Sequence, residues 1–144
     1  MGTGAEGTPR QRIEDEVARR GRAQVVAGCV ELVRGGAVDD ELLRVLGGDH
    51  APGFAGTGRP QDEYWLRVWG ARGLLWAADG TAQPAVREAL TDEHWRVREM
   101  ALKVVARHHW GELLGAVAPL VDDPVPRVRA AAARTLRVLT SARD

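Results

Sequence analysis

The feature that most constrains this chain is a repeat. Asp92-Glu93-His94-Trp95-Arg96-Val97-Arg98-Glu99-Met100-Ala101 aligns with Asp123-Pro124-Val125-Pro126-Arg127-Val128-Arg129-Ala130-Ala131-Ala132 at an offset of 31 residues. Both stretches read Asp, three residues, Arg-Val-Arg, two residues, Ala. At an offset of 30, Asp62-Glu63-Tyr64-Trp65 falls on Asp92-Glu93-His94-Trp95, Ala71 on Ala101 and Leu75 on Val105, which in turn falls on Leu136. A short apolar segment precedes each later copy, Ala85 to Leu90 and Leu113 to Leu120, with Leu42 to Leu46 in that part for the first. A period near 30 made of a short and a longer helix predicts stacked helical pairs, because one pair cannot bury its own apolar stripe. Val97, Ala101 and Val104 or Val105 share one helix face; Val128, Ala132 and Leu136 share the same face one period later. The recurring Ala is small where two backbones must approach, so a larger residue there overpacks by ~1–3 kcal/mol.

The rest of the sequence agrees with an all-α class. Residues 1–12 are Gly-, Thr- and polar-rich and read as a disordered tail. From Ile13 the apolar spacing through Val17, Val25, Val26, Cys29, Val30 and Val33 predicts an N-terminal helix ended by Gly35-Gly36. Asp39 or Asp40 then caps a helix over Glu41 to Leu46. A Gly- and Pro-rich loop over 47–61 follows, long enough to be an insertion or a functional loop. Further helices are expected over 62–78, 83–90, 93–109, 111–121 and 126–141, with Pro84 and Pro126 in first turns. The expected organisation is one domain over 13–144, with repeats at about 39–79, 82–109 and 111–141.

This pattern resembles the HEAT-like helical repeat family, in particular its short-repeat branch of about 30 residues found in many bacterial HEAT repeat domain-containing proteins. The resemblance rests on Asp-x-x-x-Arg-Val-Arg-x-x-Ala, present twice, and covers about 62–141, more loosely from 39. It implies a right-handed α-α superhelix, a solenoid of about three helical pairs behind an N-terminal helix. It also implies that Asp92, Arg98, Asp123 and Arg129 form a ladder of acid–guanidinium contacts between repeats. The first copy departs from the pattern, with Arg67 in place of the Val, and Val68 and Trp69 where the next has Arg98 and Glu99, as in an atypical end repeat.

Catalytic constellations are not legible. His50, His94, His108 and His109 are the candidate nitrogen ligands, but neighbours on a helix point about 100° apart, so His108 and His109 cannot share a metal. The His-Glu dipeptides of the two-iron HEAT-like hydroxylases do not occur, and neither a metal nor a cofactor is expected. Ser141 is the sole serine and sits outside any Gly-x-Ser-x-Gly; Cys29 lies among valines, where burial makes it inert. Gly47-Gly48 and Gly56-Thr57-Gly58 lack the strand-to-helix context of a phosphate-binding loop.

Composition removes further classes. Twenty Lys and Arg balance twenty Asp and Glu, which argues against a polybasic nucleic-acid arm. Apolar runs of five or six residues are far short of the ~20 that span a bilayer. A lone Cys and no apolar leader suit a cytoplasmic protein.

Two features remain for function. Trp65, Trp69 and Trp76 fall on one side of one helix, and either pack under the N-terminal helix and the Gly/Pro loop or line a groove for a partner. Beside the apolar stripe of the longer helices run Arg96, Glu99, Lys103 and Arg107, then Arg127, Ala130, Arg134 and Arg137, a basic ridge that is either a solvated face or a binding face. The expectation is a non-catalytic scaffold that takes a protein partner on the concave side of its longer helices, through Trp69, Arg72, Arg96, Glu99, Lys103, Arg107, Arg127 and Arg134. The competing expectation is nucleic-acid binding, in the manner of the alkylation-repair helical-repeat proteins this architecture resembles. A third and weaker one is a lyase-type enzyme resembling the short-repeat chromophore lyases.

Overall fold

The computed structural model describes residues 7–141, and these are helical or turn, without strand. Its helices are α1 (Pro9–Arg20), α2 (Arg22–Val33), α3 (Asp40–Gly47), α4 (Pro60–Trp76), α5 (Gln83–Ala89), α6 (Trp95–His108), α7 (Leu114–Val117) and α8 (Pro126–Ser141). Contacts gather the chain into two compact units, Met1–Ala82 and Gln83–Asp144, where the sequence predicts one domain over 13–144.

Two expectations fail at the amino end. Residues 9–12 are not tail: Thr8 accepts a hydrogen bond from the Gln11 amide at 3.1 Å, and Pro9 opens α1. Residues 1–6 lie outside the described ones. The expected single N-terminal helix is two helices, because Gly21 takes φ +95° and closes α1 with its amide on the Val17 carbonyl at 2.9 Å. Glycine adopts that region at no steric cost, so the hydrophobic spacing alone could not reveal the break.

In the first unit α4 packs along α2, α1 lies against α2, α3 and α4, and α3 lies against α1 and α4. Ile13, Val25, Cys29, Leu42, Leu46 and Leu74 are its fully buried centre. The close approach of α2 and α4 depends on bare glycine: a Cβ on Gly73 would strike Cys29 Sγ and, at 2.7 Å, Leu46 Cδ2. Asp39 is the cap of α3, accepting from the Leu42 amide at 2.8 Å. Around it runs an ion network in which Glu16, itself buried, receives Arg19 at 2.6 Å and Arg20 at 2.5 Å, while Arg20 also reaches Asp39 at 3.0 Å.

In the second unit α5 and α6 form one helical pair, α7 and α8 the next, and α6 lies along α8. Val97, Ala101, Val128 and Ala132 are completely buried, so the stripe read from the repeat is the core. The Thr135 hydroxyl joins the two long helices by donating to the Leu102 carbonyl at 3.1 Å. The expected helix over 111–121 is shorter and mixed: a 3-10 turn at Gly111–Leu113, four residues of α7, then a 3-10 stretch at Ala118–Asp122 that contains Pro119.

Candidate functional site

The repeated Asp and Arg have a defined job in the second unit. Asp92 accepts the His94 amide at 2.8 Å, and Asp123 accepts the Val125 amide at 2.9 Å, the same two-residue side-chain turn one period apart. Six residues on, each Arg folds back over the turn. Arg98 Nη1 donates to the Asp92 carbonyl at 2.8 Å and the Glu93 carbonyl at 3.2 Å. Arg129 Nη1 donates to the Asp123 and Pro124 carbonyls at the same two distances. Arg98 then offers its other edge to Asp123 of the following repeat, Nε at 2.8 Å and Nη2 at 3.0 Å. This pair is out of water, with the Arg98 side chain 12% and the Asp123 side chain 3% exposed. Burial pushes the Asp123 carboxyl up, but the Arg98 hydrogen bonds, the Val125 amide and the Arg98 charge outweigh it and hold the carboxyl below its ordinary value. The constant six-residue spacing thus contains, besides the Asp turn and the contact between repeats, an Arg staple over each turn. Position 68 of the first copy is a buried Val, so that staple has no counterpart there.

The basic ridge is partly neutralised. Glu99 is 8% exposed and receives Arg127 on both oxygens, at 3.1 and 3.3 Å. Trp95, half-buried at the start of α6, has the Arg96 guanidinium 4.5 Å and the Arg127 guanidinium 5.2 Å from its ring centroid. These contacts set the beginnings of the α6 and α8 ridges side by side. Farther along, Lys103 and Arg107 on α6 and Arg134 and Arg137 on α8 are exposed. Sequence reasoning missed the Glu99–Arg127 pair because the alignment places Ala130, not an acid, at the position equivalent to Glu99.

Two residues expected on the partner face belong elsewhere, in the first unit. Trp69 is 6% exposed, closed over by the Gly/Pro loop: Phe54 meets it edge-on at 5.1 Å and His50 at 6.3 Å. The loop can lie there because Gly47 has no side chain; a Cβ would come within 2.6 Å of the indole. Arg72 is half-buried and donates to the Leu46 carbonyl, while Arg12 Nε donates to the Val45 carbonyl at 3.0 Å. Two guanidiniums thus satisfy the carbonyls left free at the end of α3. Desolvation, with Arg12 nearby, pushes the Arg72 pKa down. Trp65 and Trp76 are half-buried, the first stacked on Trp69 at 6.1 Å, the second under the Arg10 guanidinium at 4.8 Å. The tryptophan side of α4 is therefore packed in part beneath α1 and the loop, and Trp65 and Trp69 line a shallow concavity of about 240 Å³ with His50, Phe54 and Arg72. Glu99 is sealed beneath Arg127 and is not open to a partner.

Cys29 is fully buried, and desolvation pushes its thiol up to about 12. No group of three His, Cys, Asp or Glu side chains suited to a metal occurs among the described residues. No helix of the described residues is long and apolar enough to cross a membrane.

Tandem helical pairs, a buried Val/Ala stripe and an Asp turn stapled by Arg define a helical-repeat protein, a class of scaffold often used in protein interaction. The family model for HEAT repeats matches residues 59–137, more than half of the chain. The chain belongs to the HEAT repeat family. No curated protein and no solved structure matches it.

Proposed function

We infer that this protein is a non-catalytic adaptor that binds an acidic segment of a partner protein on the α6–α8 ridge. One observation carries the reading. Lys103, Arg107, Arg134 and Arg137 are exposed along α6 and α8, and Glu99 on the same stretch of α6 is already covered by Arg127, so a chain of zero net charge gathers exposed basic side chains on one helix pair. Long cationic side chains on a rigid helix pair steer an anionic partner and fix its register more than they add affinity. Arg96 and Arg127, fixed against Trp95, supply the ordered end of that face, where an aromatic side chain between two guanidiniums offers an anchor for the partner's chain.

The test is capture under native conditions from the host, wild type against Lys103→Glu/Arg134→Glu. Both positions are exposed, so the variant should melt with the wild type while losing the captured protein. Retention of the same partner by the variant overturns the reading. So does tight binding of duplex DNA at about 50 mM salt through the same two residues, because phosphate contacts would then account for the ridge.

A further inference from the structure

The repeat supplies its own measure of what an uncovered edge looks like. Ala89, Leu90, Leu102 and Val105 of the α5–α6 pair are buried, the last three completely. One period later the corresponding residues are Leu120, Val121, Ala133 and Leu136, all still apolar and all only half-buried. The same pair carries Leu114, the one large apolar side chain that is exposed among the described residues, at 40%. Arg129 repeats the difference in charge. Like Arg98 it staples its own turn, but Arg98 also hydrogen-bonds an aspartate of the next pair on two nitrogens, whereas the Arg129 charge is felt by Asp123 of its own turn and, among the described residues, its guanidinium donates to carbonyls rather than to a carboxylate.

We propose that the α7–α8 edge is a docking surface for a helical pair of another protein, one that opens on an aspartate-bearing turn and delivers that aspartate to Arg129. The Arg98–Asp123 pair is the template: the edge presents one period later the guanidinium and the apolar positions that α5–α6 present to α7–α8. A second copy of this chain is the poorer occupant. Two copies meeting edge to edge would set Arg129 of one against Arg129 of the other, and the first unit's α4 is already packed along α2. Lys103→Glu/Arg134→Glu changes neither Arg129 nor the apolar positions of this edge, so failure of the ridge reading and failure of this one are distinguishable.

The test joins a copy of residues 111–141 directly after Ser141, which preserves the 31-residue period and brings the copy of Asp123 to Arg129. Tethering only raises the effective concentration of the docking pair, so the surface chemistry decides whether it seats. The elongated chain should unfold in one transition at a higher temperature than the original. Arg129→Ala should then lower the folding equilibrium constant at least about tenfold more in the elongated chain than in the original, since breaking a shielded pair costs more than losing the staple alone. The staple is lost in both backgrounds and cancels from the comparison. An appended pair that stays unfolded or melts by itself, or an Arg129→Ala effect equal in both chains, overturns the proposal. Concentration-dependent dimerisation of the original chain in sedimentation, abolished by Leu136→Glu, overturns the choice of occupant.

Discussion

Replacing the buried Asp123 with Ala should be the most damaging single change in the turns of the second unit. The substitution removes two charged hydrogen bonds from Arg98, at 2.8 and 3.0 Å, and the Val125 turn bond at 2.9 Å. It strands a guanidinium that is 12% exposed with only the Asp92 and Glu93 carbonyls for company. Breaking one side of a shielded pair costs about 3–5 kcal/mol, and the retained carbonyl bonds favour the lower figure. At about 2.1 cal/mol/K per residue, unfolding this chain changes the entropy by about 0.3 kcal/mol/K, so a loss of about 3 kcal/mol lowers Tm by about 10 °C. Arg98→Ala should cost a similar amount, and the double variant little more than either. Arg129→Ala, which removes carbonyl bonds without orphaning a carboxylate, should cost about 1 kcal/mol. Calorimetric melting of the wild type, the two single variants at 98 and 123 and their double variant forms a double-mutant cycle, with Arg129→Ala melted alongside. Additive costs for Asp123→Ala and Arg98→Ala, or an Arg129→Ala penalty as large as Arg98→Ala, would refute the ladder as the element that joins the two pairs.

Three further outcomes follow from the geometry. Gly73→Ala should destabilise by ~1–3 kcal/mol against Cys29 and Leu46, despite the better helix propensity of Ala, whereas Gly115→Ala, with nothing within 4 Å of its Cβ position, should be neutral or stabilising in urea titrations. The Asp39 carboxyl, drawn down to about 2 first by the Arg20 hydrogen bonds, outweighing its desolvation, should titrate well below 3.8 by carbon-detected NMR. A depressed folded pKa means that its stabilisation is complete above 3.8 and is lost as pH falls towards about 2; Asp39→Asn should flatten that part of the acid limb. Finally, Cys29 should resist a thiol reagent at pH 8 until urea opens the first unit, and rapid labelling of the native protein would contradict its burial between α2 and α4.

The periodic part of the fold was legible because it is written in spacing. In both copies an Asp followed six residues later by Arg, with Val and Ala between and beyond, marks a turn, a helix and its inward face. The amino end was less legible. Ile13 to Val33 keep helical spacing straight across Gly21, and only the backbone geometry shows that a φ of +95° divides them. The tryptophans show the same limit: their spacing put them on one side of α4 but could not say whether that side faced a solvent groove or the Gly/Pro loop. Gly47, bare beneath the Trp69 ring, lets the loop cover that one indole, while Trp65 and Trp76 stay half-buried.

By itself, then, the sequence determined the class of architecture, the repeat length and the inward stripe, since each follows from short-range periodicity and from the impossibility of one helical pair burying itself. Tertiary structure decided which charges remain available. Glu99 and Arg127 stand 28 residues apart, and Arg98 and Asp123 stand 25 apart, and the pairs close only when α6 meets the first turn of α8 and the turn before it. Pairing and burial depend on distance in space rather than along the chain, so a row of basic residues becomes a ridge with a neutralised end and an exposed end only after the helices have met.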